Sequence, residues 1–99
     1  MSAFVIVEIE VREQEPYEEY KRLAPPSIKA YGGRYLVRGG RTETFEGDWR
    51  PKRVVVLEFP SLERARQWLE SPEYRDARAM RQRAATTRMI AVECLGTPI

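Results

Sequence analysis

The chain contains no histidine and only one cysteine, Cys94. Without histidine there is no His-based catalytic triad, and the commonest metal ligand and neutral-pH base is missing. No zinc site, His-ligated haem or other metal centre is expected, and no cofactor. A lone cysteine rules out an intrachain disulfide framework. No apolar run approaches the ~20 residues that a membrane-spanning helix needs. Met1-Ser2-Ala3 leads straight into a strand-like run, without the charged start and apolar stretch of a signal peptide, so a cytoplasmic protein with no membrane partner is expected. Charge of one sign is lacking as well: 17 Lys+Arg face 15 Asp+Glu, a net charge of +2. The arginines between Arg75 and Arg88 have spacings that suit a solvated helix face. With no basic stripe interleaved with aromatics, no nucleic-acid partner is expected. Repeats, linkers and low-complexity stretches are absent, which makes 1–99 a single domain. A chain of this size buries roughly two thirds of its unfolded surface.

What is present alternates. Residues 3–11 (AFVIVEIEV) place Val5, Val7, Ile9 and Val11 on one face, and Phe4 and Ile6 start the other, which predicts a strand apolar on both sides. Residues 16–31 read as a helix with Tyr17, Tyr20, Ala24, Ile28 and Tyr31 as its stripe. Pro25 and Pro26 predict a kink or two short helices, because proline lacks the N–H and disfavours helical geometry in the residue before it. Gly32-Gly33 ends the element. Arg34 to Arg38 is a short strand; Thr42 to Glu46 alternates weakly, as a strand extension or an edge hairpin, and Gly47 to Pro51 is a loop. Residues 53–59 (RVVVLEF) form the strongest strand. Ser61 caps a helix over 62–70, Ser71-Pro72 starts another that runs to about 85, and 88–95 alternates as a last strand. The order β-α-β-β-α-β, with right-handed crossovers, gives an α+β, ferredoxin-like fold: a four-stranded antiparallel sheet, strands one and three central, helices on one face.

The periodicity assigns Val5, Val7 and Ile9, Tyr35 and Val37, Val55, Leu57 and Phe59, then Ile90, Val92 and Cys94 to the helix-covered face. Phe4, Ile6, Leu36, Val54, Val56, Met89 and Ala91 remain for the other. A free sheet face should be polar, and an apolar one marks an interface. A second copy related by a two-fold axis is the simplest partner. The same face carries Glu8, Glu58, Glu93 and Arg38, which must pair, meet water or meet a ligand. They form either a structural Arg–Glu network or the charged end of a small-molecule pocket.

Several segments in order are similar to one known family: Ala24-Pro25, Ile28, Tyr31 to Gly40 (YGGRYLVRGG), Glu46-Gly47-Asp48-Trp49, Arg53 to Ser61, and Trp68 with Ser71-Pro72-Glu73-Tyr74. Over nearly the whole chain the sequence resembles the domain of unknown function 1330 family. The resemblance implies the dimeric α+β barrel scaffold, whose members include cofactor-free monooxygenases, muconolactone isomerases and haem-dependent chlorite dismutases. It implies no activity of the family's own. The family pattern has an aromatic residue after Trp68, where this chain has Leu69, so that side of a pocket is altered. The missing histidines bar the His-dependent chemistries of the scaffold.

The candidate ligand-binding residues are therefore Arg38, Glu8, Glu58, Glu93 and Trp49. Arg38 offers a guanidinium to a carboxylate, or else a salt bridge to Glu8 or Glu58. Trp49 is a pocket lid, or an aromatic anchor against the partner subunit, and Asp48 caps its own turn. Glu58 is the candidate base, by a pKa raised in a dry cavity, with Arg38 beside it. Tyr74 is a candidate proton donor, although it and Trp68 also suit the seam between helices and sheet. Cys94 is expected to face the helices as packing. The function expected is that of a homodimer binding a small organic acid or similar metabolite in each subunit. The alternatives are a cofactor-free, monooxygenase- or isomerase-like enzyme working by acid–base chemistry, and a non-catalytic binding or structural module.

Overall fold

A computed structural model describes residues 1–96. Strand β1 (Ala3–Val11) is followed by helix α1 (Gln14–Ala30), strands β2 (Arg34–Arg38) and β3 (Arg53–Phe59), helices α2 (Leu62–Leu69) and α3 (Pro72–Ala84), and strand β4 (Ala85–Glu93). The strands form one antiparallel sheet in the order β2-β3-β1-β4, with β1 and β3 central. This is the expected α+β, ferredoxin-like arrangement. Residues 39–52 form a loop, and Thr42 to Glu46, expected as a strand extension or an edge hairpin, is neither.

The core lies between the helices and one face of the sheet. Val5, Val7 and Ile9 of β1 and Val55, Leu57 and Phe59 of β3 are buried there, as alternation requires. Trp68 of α2 sits at the centre, its ring 5.2 Å from Phe59 and 4.2 Å from Tyr74 between centroids. Its Nε1 donates to Ser27 Oγ at 3.1 Å, which satisfies the polar edge of a buried indole. Ser61 and Ser71 cap α2 and α3, accepting from the backbone N–H of Arg64 and Tyr74 respectively. Gly32 turns the chain at φ 79°, and a Cβ on Gly33 would sit 2.6 Å from the Phe59 ring, so neither position admits a side chain without movement.

Three expectations are corrected. First, α1 runs unbroken through Pro25 and Pro26. Pro25 has no N–H to give the carbonyl of Lys21, and Arg38 Nη2 donates to that carbonyl instead, at 2.6 Å. Second, β4 begins at Ala85 rather than residue 88, and its faces are the reverse of those expected. The register pairs Val7 with Met89 and Val5 with Ala91, so Met89, Ala91 and Glu93 share the helix-covered face while Ile90 and Val92 point outward. Cys94, half-buried just past the strand, continues the outward set rather than the core set. Third, a register shift between Tyr35 and Val37 inserts Leu36 as an extra residue, a β-bulge. Beyond it the alternation inverts: Val37 pairs with Val56 on the bare face, and Arg38 pairs with Val55 on the helix-covered face.

Candidate functional site

The four charges expected to meet on the bare face do not. Glu8 and Glu58 lie there, whereas the bulge turns Arg38 to the other side and the β4 register places Glu93 there too, exposed at the strand end. Arg34 of β2 takes the place foreseen for Arg38: its Nη2 lies 2.7 Å from Glu58 Oε1. This hydrogen-bonded partner holds the Glu58 carboxyl below the ordinary glutamate value, the opposite of the raised pKa expected of a base in a dry cavity. Glu8 has two partners, Arg88 at 3.5 Å and the indole Nε1 of Trp49, which donates to it at 2.7 Å. Trp49 is thereby pinned across its own sheet while the residue stays 58% exposed. The hydroxyl of Thr44 donates to the Trp49 carbonyl and steadies the same loop, while Asp48 is exposed and makes no hydrogen bond among the described residues. The bare face thus has charged margins that pair internally around an apolar centre of Phe4, Ile6, Val54, Val56, Ile90 and Val92.

Arg38 instead stacks over the Tyr35 ring, 4.5 Å from its centroid, and braces α1 through the Lys21 carbonyl. Between α1 and the sheet its neighbours enclose a cavity of only about 20 Å³, room for little more than one water.

A larger space opens on the other side of the core. A cleft of about 540 Å³ lies between α2, α3 and the helix-covered face of β4, within the size range of small-molecule sites. Leu62, Leu69, Met89 and Ala91 form its apolar wall, with Trp68 and Val5 behind. Leu69, where the resemblance implied an aromatic residue, lines this cleft. The polar lining is three arginines, Arg66, Arg78 and Arg81, against one carboxylate, Glu70, together with Gln82 and Thr87.

Arg81 is the unusual member. It is 4% exposed, and among the described residues it has no ion pair. Its Nε donates to Tyr74 Oη at 3.2 Å and its Nη1 to the hydroxyl of Thr87, while Nη2 has no partner among the described residues. A guanidinium cannot shed its proton, so a full positive charge is held inside. Its place in the last turn of α3 contributes about 0.3–1 kcal/mol through the helix dipole. An unpaired buried ion carries a penalty of several kcal/mol, so hydroxyl dipoles supply the remaining compensation and no anion neutralises the charge. Arg78, one turn earlier, donates from Nη1 to the Leu69 carbonyl at 3.3 Å and leaves its Nε buried and unpartnered.

Tyr74 is fully buried and does not line the cleft. Its hydroxyl lies 2.7 Å from that of Tyr20 and accepts from Arg81, so it orients the guanidinium rather than facing a ligand. Burial, more than any neighbouring charge, pushes the Tyr20 phenol far above its ordinary pKa, and it stays protonated as the far end of this chain. The sequence reading missed Arg81 because an arginine at helix spacing reads as solvated. The available signal was its place among Tyr74, Ala77 and Ala84, at the three- and four-residue steps of the buried stripe.

Among the described residues no group of three or more His, Cys, Asp or Glu side chains is placed to hold a metal ion, and no helix is long and apolar enough to cross a membrane. The family model described as a domain of unknown function, DUF1330, matches residues 2–95. No curated protein matches the chain. A solved protein of unknown function from Rhodopseudomonas palustris superposes with a TM-score of 0.77 at 24% identity, over 97% of this chain and 84% of that one. A dimeric ferredoxin-like protein of unknown function from Jannaschia is similar at TM-score 0.65 and 12% identity, over 95% of this chain and 100% of that one. SnoaB, a cofactor-independent oxygenase from Streptomyces nogalater, is similar at TM-score 0.67 and 10% identity, over 97% and 95%. At these identities the likeness is one of fold.

Proposed function

Because the chain belongs to the DUF1330 family, whose description carries no activity, we propose a function from the geometry: a homodimer joined through the bare sheet face that binds a small organic molecule in the cleft of each subunit. The observation that carries the binding reading is the cleft itself, about 540 Å³, apolar on one wall and lined by arginines on the other. Sites for small molecules have this build, a mostly apolar concavity with a few fixed polar groups. Pairing is supported by the outward apolar face and by fold neighbours described as dimeric. A cytoplasmic setting is part of the same proposal.

A second reading, a cofactor-free oxygenase, draws on the fold shared with SnoaB. Binding is preferred because the two groups that the sequence offered for proton transfer, Glu58 and Tyr74, are not at the cleft, whose one carboxylate is Glu70. Glu58 lies on the opposite face in an ion pair, and Tyr74 is enclosed.

Native mass spectrometry after incubation with a bacterial small-molecule extract tests both parts. The expected result is a dimer carrying added small-molecule mass. A monomer at micromolar concentration overturns the pairing, and a dimer that takes up nothing overturns the binding.

A further inference from the structure

Within the reading that the cleft binds a small organic molecule, the geometry points to the ligand's class: an organic carboxylate whose anionic end is held by Arg81, seconded by Arg78, and whose apolar body lies against Leu62, Leu69, Met89 and Ala91. Three observations converge on it. A buried guanidinium carries a charge that no carboxylate of the described chain neutralises, and its Nη2 is without a partner. Arg78 lies three residues away on the same helix, where side chains share a face, and it lines the same cleft with a donor unsatisfied. Leu62, Leu69, Met89 and Ala91 form an apolar wall, and the one carboxylate in the lining, Glu70, is outnumbered by three arginines.

A guanidinium fork matches a carboxylate in plane and spacing, which a neutral carbonyl does not. Arg81 is also held in place beforehand. Tyr74 fixes Nε and Thr87 fixes Nη1, so little side-chain freedom is left to lose on binding. An anion entering the cleft therefore meets a charge already desolvated and already oriented. A neutral ligand of the same shape leaves that charge unpaired.

Isothermal titration of the wild-type protein with 2-naphthoate and with its neutral counterpart 2-naphthamide tests this, with octanoate and octanamide as a slimmer pair. The carboxylate of each pair is expected to bind about tenfold or more tighter, the effect of a charge-assisted hydrogen bond. Amide chemical shifts on binding are expected to move in α3 and β4 around Arg81 and Thr87. Equal affinity for acid and amide overturns the carboxylate assignment while leaving the small-molecule cleft standing. Failure of all four probes to bind, or shifts confined to the bare sheet face, overturns the cleft reading as well. R81M is expected to bind acid and amide alike, and a folded R81M that keeps the preference for acid overturns the role of Arg81. If R81M does not fold, R78M, which leaves the contact between Arg81 and Tyr74 intact, is expected to narrow the preference. An unchanged preference in R78M then overturns the pairing of the two arginines.

Discussion

Glu58 sits opposite Arg34 across β2 and β3, and the guanidinium favours its ionised form. A carboxyl whose folded pKa lies below its unfolded one contributes stability above the unfolded value. That contribution is lost as pH falls through the folded value. The melting temperature of the wild type should therefore fall more steeply than that of E58Q in the range just below the usual glutamate pKa of about 4.3. Thermal melts of the two proteins from pH 6 to pH 3 check this, and parallel curves would mean the pair is not held in solution. Residue roles were the least legible part of the sequence. Charge type could be read, but pairing depends on which strand lies alongside and in what register. Arg38 was the right kind of residue for Glu58 at the wrong position: Arg34 stands directly opposite Glu58, and one inserted residue in β2 turns Arg38 to the other face. Arg81 shows the converse: its neighbours in the helix are buried and it is buried with them.

At the level of elements the sequence was legible wherever a period ran uninterrupted. β1 and β3 alternate without a break, and the structure places their faces as read. β4 failed because both of its faces are apolar. Hydrophobicity alone assigned the bulkier set, Ile90 and Val92, to the core, and the register gave the core Met89 and Ala91. The expected kink in α1 failed for a reason outside the helix. Pro25 removes one hydrogen bond from the ladder, and a side chain on a neighbouring strand restores a donor to the freed carbonyl. The two residues should therefore be energetically coupled. R38A is expected to destabilise the wild-type protein by about 1 kcal/mol, the usual worth of one such hydrogen bond. In a P25A background the helix supplies its own N–H to Lys21, and the same R38A change should have an effect smaller by most of that amount. A double-mutant cycle on denaturant midpoints measures the difference. A coupling near zero would show that Arg38 acts through Tyr35 alone.

For the whole molecule the decisive feature is that the sheet buries one face and leaves the other apolar. Within one subunit Ile90 is 62% exposed and Val92 46%, while Phe45 in the adjoining loop is 87% exposed. Scattered exposed apolar residues need no explanation, but Ile90 and Val92 lie beside Phe4, Ile6, Val54 and Val56 as a contiguous patch. Glu8, Arg88 and Trp49 already satisfy one another at its margin, so covering the patch need not strand an unpaired charge there. Placing a carboxylate within the patch separates assembly from folding. In the isolated subunit Ile90→Glu changes an outward, solvent-facing side chain, and such substitutions usually shift stability by no more than about 0.5 kcal/mol. In a sheet-to-sheet dimer the same change buries one unpartnered charge from each subunit, at several kcal/mol each. Sedimentation velocity should find wild type as a dimer and I90E as a monomer, with the far-ultraviolet circular dichroism of the two superimposable. A dimeric I90E would place the interface elsewhere. A monomeric I90E with lost secondary structure would mean that the subunit fold depends on its partner, because the surface which the lone chain exposes is then part of the core.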